Sequence, residues 1–153
     1  LPGTPSLRVS GALLFILTVS LFLIAHDPST IAEYHLDEGS GLSAFDDSGN
    51  GNHGILRNGP VWVAGRANNA LSFDGVNDYI ELNNSPSLNP PNAISIAAWV
   101  NTVTLSVSQF IVAKDNLPSG RLQYFLRLQG SAVRMGIRTT ADYFATSAAN
   151  LIT

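Results

Sequence analysis

Oxygen-bearing side chains crowd one part of this 153-residue sequence. Asp46, Ser48, Asn50 and Asn52 alternate across Gly49 and Gly51, and Asp74 and Asp78 bracket a second turn at Gly75. Oxygen donors at alternate positions on a glycine-rich loop suit a hard cation, Ca2+ before others. The same residue types also close turns by bonding their own backbone. Both uses stay open for the 46–52 loop, and capping is the favoured use of Asp74 and Asp78. A second group lies later in the chain. Arg127, Arg134 and Arg138 fall on the polar side of alternating segments, with Tyr124 or Tyr143 nearby. A guanidinium pairs with a carboxylate through two parallel hydrogen bonds, so such a face could grip an acidic sugar. Ordinary solvation of an exposed sheet face is the alternative.

Other chemistry finds little support. His26, His35 and His53 show neither zinc-ligand spacing nor a Ser/Asp partner in sequence. Asp37 and Glu38 are adjacent, so on a strand they point to opposite faces and cannot flank one glycosidic bond. Gly49-Asn50-Gly51-Asn52-His53-Gly54 matches Gly-x-Gly-x-x-Gly, but Gly59 and Pro60 follow too soon for a phosphate-binding helix. Asp46-x-Ser48-x-Asn50-Gly51 opens like an EF-hand loop, yet its twelfth position is Arg57 where a bidentate Glu belongs. The part of the chain in hand is therefore expected to be non-enzymatic.

Composition narrows the class further. The chain is 45% hydrophobic and only 12% charged, with a net charge of −3 and no cysteine. Eight scattered Lys and Arg give no nucleic-acid footprint, and without cysteine there is no disulfide framework and no thiolate site. Val9 to Ala25 carries no charge and follows Arg8. It is longer than an ordinary signal-peptide core and slightly shorter than the roughly 20 residues of a spanning helix. Residues 1–25 thus read as a helical signal peptide or membrane anchor, with a buried core helix as a third option; the first two mean export. Residues 26–32 form a linker. Leu1 at the start and a polar turn at Thr153 suggest a fragment of a longer protein.

The elements that must position the candidate residues are short and β-like. Strands are expected at 31–36, 61–64, 109–114, 124–129 and 133–139, with a hairpin of 70–73 and 78–82 about Asp74-Gly75-Val76-Asn77. Ala93 to Val100 gives the clearest strand signal, Ile94, Ile96, Ala98 and Val100 on one face and Ser95, Ala97, Trp99 and Asn101 on the other. In the last strand Val133, Met135 and Ile137 should face inward, Arg134 and Arg138 outward.

The order of the motifs carries a family resemblance. Asp37-Glu38-Gly39-Ser40-Gly41, Asp46-x-Ser48-Gly49-Asn50-Gly51-Asn52-x-Gly54, Ala70-Leu71-x-Phe73-Asp74-Gly75-x-x-Asp78-Tyr79 and Ser95-Ile96-x-Ala98-Trp99-Val100 together resemble the first half of a laminin-G-like, concanavalin A-like jelly-roll domain. The likeness covers residues 33 to about 115 and is weaker to 153; Tyr34 stands where the family more often has Trp. The family's later Trp-His-His motif and closing acidic strand do not occur. The resemblance implies an all-β, two-sheet antiparallel jelly-roll sandwich over 33–153, incomplete at its C-terminus, often calcium-bound and non-catalytic. Its partners would be a glycan or an extracellular protein, with a structural or adhesive spacer, or an accessory domain of a larger secreted glycoside hydrolase, as alternatives.

Overall fold

A computed structural model describes residues 27–104, 108–116, 121–138 and 142–147. The Val9–Ala25 segment, with its signal or anchor reading, lies outside them, and no helix among the described residues is long and apolar enough to cross a membrane. The chain divides into two compact units, Leu1–Asn92 and Ala93–Thr153. The described residues are all-β and antiparallel apart from one 3-10 turn at Pro86–Leu88.

In the first unit the strands are short because glycine, asparagine and aspartate interrupt every apolar run. They are β1 (Ser43–Ala44), β2 (Gly54–Arg57), β3 (Val61–Ala64), β4 (Asn69–Ser72) and β5 (Tyr79–Leu82). One sheet has the order β1-β2-β5, and β3 with β4 makes a separate hairpin. The strand period of two sets Ala44, Gly54, Leu56, Ile80 and Leu82 on one side, where Ala44 and Leu56 are buried. Gly54 is required there, since a Cβ would lie 2.3 Å from Ile80 Cγ2. On the other side Arg57 closes on Glu81, Nε and Nη2 reaching Oε2 at 2.7 and 2.6 Å.

Two expected elements differ. The 70–73 and 78–82 segments do not pair: β4 pairs with β3, and β5 with β2. The loop from Asp74 to Asp78 folds upon itself, whereas the Gly65–Asn68 turn, closed by a 2.9 Å bond from Gly65 N–H to Asn68 C=O, forms the hairpin. Residues 31–36 form no strand. The Ile31 carbonyl accepts bonds from the Ser48 hydroxyl and the Asn50 and Asn52 amides, so no ladder forms there.

The second unit is a four-stranded antiparallel meander of β6 (Gln109–Asn116), β7 (Arg121–Gln129), β8 (Ala132–Arg138) and β9 (Asp142–Thr146). Irregularities at Phe110/Val112 and Lys114/Asp115 re-aim β6 against β7. Register puts Tyr124, Leu126, Leu128, Val133, Met135, Ile137 and Tyr143 on one face. Tyr124, Leu126 and Leu128 are buried, and burial pushes the Tyr124 phenol above its ordinary range. The opposite face carries Phe125, Arg127, Arg134, Gly136, Arg138 and Phe144. Phe125 lies across Gly136, where a Cβ would sit 2.2 Å from the ring. Residues 93–100 join no sheet, although their alternation is the cleanest in the sequence.

Candidate functional site

Asp46 is buried, and both its oxygens are in use. Oδ1 accepts the N–H groups of Glu33 (2.9 Å) and Ser48 (3.0 Å), and Oδ2 accepts that of Asn52 (2.9 Å). Burial pushes its carboxyl upward, but the bonds from Glu33, Ser48 and Asn52 outweigh this and hold it below the usual carboxylate range. Asn52, also buried, donates to the Ile31 carbonyl at 2.7 Å and to Ser87 Oγ at 3.0 Å. Asn50 donates to the Thr30 carbonyl at 3.0 Å, and the Tyr34 hydroxyl donates to the Asn52 carbonyl. The sequence-selected residues Asp46, Ser48, Asn50 and Asn52 are thus brought together, with their polar groups directed at the main chain of residues 30–33.

That arrangement bears on the expected calcium. A calcium shell takes six to eight oxygens. Here the Asp46 carboxylate already accepts three N–H donors, and the amides present nitrogen to neighbouring carbonyls. Among the described residues no group of three or more His, Asp or Glu side chains gathers to hold a metal. The donor set as folded fits a turn lock better than a cation shell. Asp74 caps its own turn: Oδ1 accepts the N–H groups of Val76 (2.8 Å) and Asn77 (3.2 Å), and these bonds lower its carboxyl. Asp78 Oδ2 in turn accepts the Asp74 N–H at 3.0 Å.

The arginine face of the second unit has a different character. Register sets Arg127 directly opposite Arg134, with Arg138 beyond Gly136 on the same side of β8. Tyr143 is not beside them: it pairs with Ile137 and so falls on the opposite face, as does Tyr124. For Tyr143 the difference is one residue of parity in β9, a strand that local alternation does not reveal; Tyr124 is three residues from Arg127 within β7, so the period of two turns it away. The aromatic neighbours are phenylalanines. The Arg127 guanidinium lies 5.2 Å from the Phe125 ring centroid and 5.6 Å from that of Phe110, and Arg134 lies 4.5 Å from that of Phe144. Gln129 Oε1 accepts from Arg127 at 3.0 Å and from Arg134 at 3.4 Å, tying the two cations to one amide. Arg127 Nε and Arg134 Nε are buried without a hydrogen-bond partner among the described residues, a desolvation cost that an anionic partner would offset. Phe110 and Phe144 remain about half exposed. Aromatic residues at 110, 125 and 144 were legible as types, but only pairing register shows that they share a face with the arginines.

Comparison with known proteins adds one finding. No protein-family model and no curated protein sequence matches the chain. A solved structure does: residues 221–444 of an S-layer domain-containing protein from Clostridium thermocellum, 26% identical, with a TM-score of 0.64 over 79% of this chain and 58% of that one. The chain spans a little over half the length of that neighbour. The likeness supports the class already described, an antiparallel all-β protein.

Proposed function

We propose that this chain supplies a non-catalytic binding module, of the laminin-G-like jelly-roll sandwich kind, to a cell-surface or secreted protein, and that its ligand is an acidic glycan. The observation that carries the reading is the pair of guanidiniums at Arg127 and Arg134, stacked on phenylalanine rings and joined through Gln129. Stacking fixes the plane of each cation and leaves its edge for a planar anion, the geometry in which arginine recognises carboxylates. The half-exposed rings of Phe110 and Phe144 offer apolar platforms beside that edge. A neighbour named for an S-layer domain supports a place at the cell surface. Calcium is not needed in this reading, because the Asp46 carboxylate already has its partners.

The test uses polygalacturonate as the acidic probe and dextran as the neutral one. The full chain should bind the first, weaken with salt because the contact is between opposite charges, and ignore the second. The Arg127→Gln, Arg134→Gln double variant should lose at least about tenfold in affinity, the scale of one charge-assisted pair. Equal binding of dextran, or of the double variant, would sink the acidic-glycan reading. Appearance of new reducing ends from either polysaccharide would overturn the non-catalytic one.

A further inference from the structure

Natural sheet edges are guarded by charges, bulges or proline, because unpaired main-chain groups template pairing with another chain. One segment of this protein has none of these guards. From Ala93 to Val100 the residues alternate as a strand does, yet they join no sheet, and among the described residues no main-chain hydrogen bond engages Ala93–Ala98. The segment is exposed along most of its length, with Trp99 83% and Val100 49% accessible. No charged residue occurs from Leu82 to Ala113, within a chain of net charge −3.

We propose that residues 93–101 are a self-pairing surface, through which two copies of this chain form an antiparallel, two-fold symmetric β contact centred on Ala97. Side-chain size and polarity select that centre. With Ala97 opposite its own copy, Ile94 faces Val100, Ile96 faces Ala98, and Trp99 faces Ser95. One side of the ladder then becomes a continuous apolar strip of Ile94, Ile96, Ala98 and Val100 from both copies. On the other side each indole lies over a serine small enough to admit it. Shifting the register by one residue would set Ile and Val against Ser and Trp and break the strip. The absence of charge fits a second copy as occupant. Two molecules of net charge −3 repel least where neither carries charge, and a two-fold axis places each group near its own duplicate. The contact lies outside the arginine face and does not depend on the proposed glycan function.

The absence of cysteine from the sequence makes the test clean. In an antiparallel pair the opposed Cα atoms are about 4.5–5.5 Å apart, within the roughly 4.4–6.8 Å that a disulfide spans. Under mild oxidation, full-length Ala97→Cys should convert to a covalent dimer, and Val103→Cys, fully exposed but outside the ladder, should remain monomeric. In sedimentation with detergent present for the apolar N-terminal residues, the unmodified chain should dimerise with rising concentration. Ala97→Lys, which sets two ammonium groups face to face, should weaken that dimer at least about tenfold. Ala97→Val should retain it. Three results overturn the proposal: equal sedimentation of the unmodified chain and Ala97→Lys; cross-linking at Val103 as ready as at Ala97; or hydrogen-exchange protection of 93–100 in a monomer, which would mean that the chain completes this ladder by itself.

Discussion

The two units of this chain hold their shape by different means. Before Ala93 the strands have two to four residues, and buried polar side chains do much of the positioning: Asp46 and Asn52 are buried alongside Ala44, Leu56 and Leu88. After it, strands of five to nine residues make a continuous ladder whose buried hydrophobic residues are Tyr124, Phe125, Leu126 and Leu128. Charge divides in the same sense, nine of the eleven acidic residues lying before Ala93 and five of the eight basic ones after it. Loops dense in glycine cannot bury enough apolar surface to order themselves, so each fixed turn must find directional bonds. A long alternating strand gains its order from area and ladder instead.

The largest effect should come from the apolar side of that contrast. Leu128 is 2% exposed, and Leu128→Ala should cost about 2–4 kcal/mol through lost burial and the cavity left behind, read as a shift in a urea midpoint. A change well under 1 kcal/mol would mean that the meander is not packed as described. Asp46→Ala comes next. It strips three main-chain N–H groups of a charged acceptor, and about 2–3 kcal/mol is expected. The melting temperature should fall equally in calcium and in chelator. A fall seen only in calcium would replace the turn lock with an ion site.

Gly54→Ala and Gly136→Ala sharpen the comparison at the level of single contacts. The added methyl meets Ile80 in the first unit and the Phe125 ring in the second, and overpacking of this kind costs about 1–3 kcal/mol. The smaller cost should fall at Gly54, because an aliphatic methyl can rotate away more easily than a ring held between neighbours. Equal costs measured by denaturant melts would remove that distinction.

Acid should separate the units by a smaller amount. The Asp46 carboxyl is held below the ordinary 3.8, so its stabilisation is complete above that value and is lost as pH falls through the lower folded-state pKa. A titration followed by exchange of the Glu33 and Asn52 amides should show them opening in acid before those of β7. Simultaneous opening would contradict a lock dependent on ionised Asp46. The smallest stability effect belongs to Arg127→Gln, since a cation–π contact near the surface contributes about 0.5–1 kcal/mol. A loss of glycan binding beside an almost unchanged melt would mark this residue as functional more than structural.

Composition and spacing by themselves determined the class: interrupted apolar runs with turn residues between them can only build short antiparallel strands, and the alternation at 124–129 and 133–139 located two strands of the meander. They also picked out the loop of Asp46, Ser48, Asn50 and Asn52 as a place where polar groups converge, since such residues on glycine turns must bond something. What they bond was decided by tertiary structure, because the acceptors, the carbonyls of Thr30 and Ile31, lie about twenty positions away in sequence. The same holds for pairing. Local alternation says that a strand has two faces, but which strands neighbour one another is a long-range choice. β4 pairs with β3 and leaves β5 to β2, and one step of register in β9 exchanges Tyr143 for Phe144 beside the arginines. Residues 93–100 show the limit of local pattern most plainly, for a strand signal specifies a readiness to pair and only the surrounding fold supplies the partner.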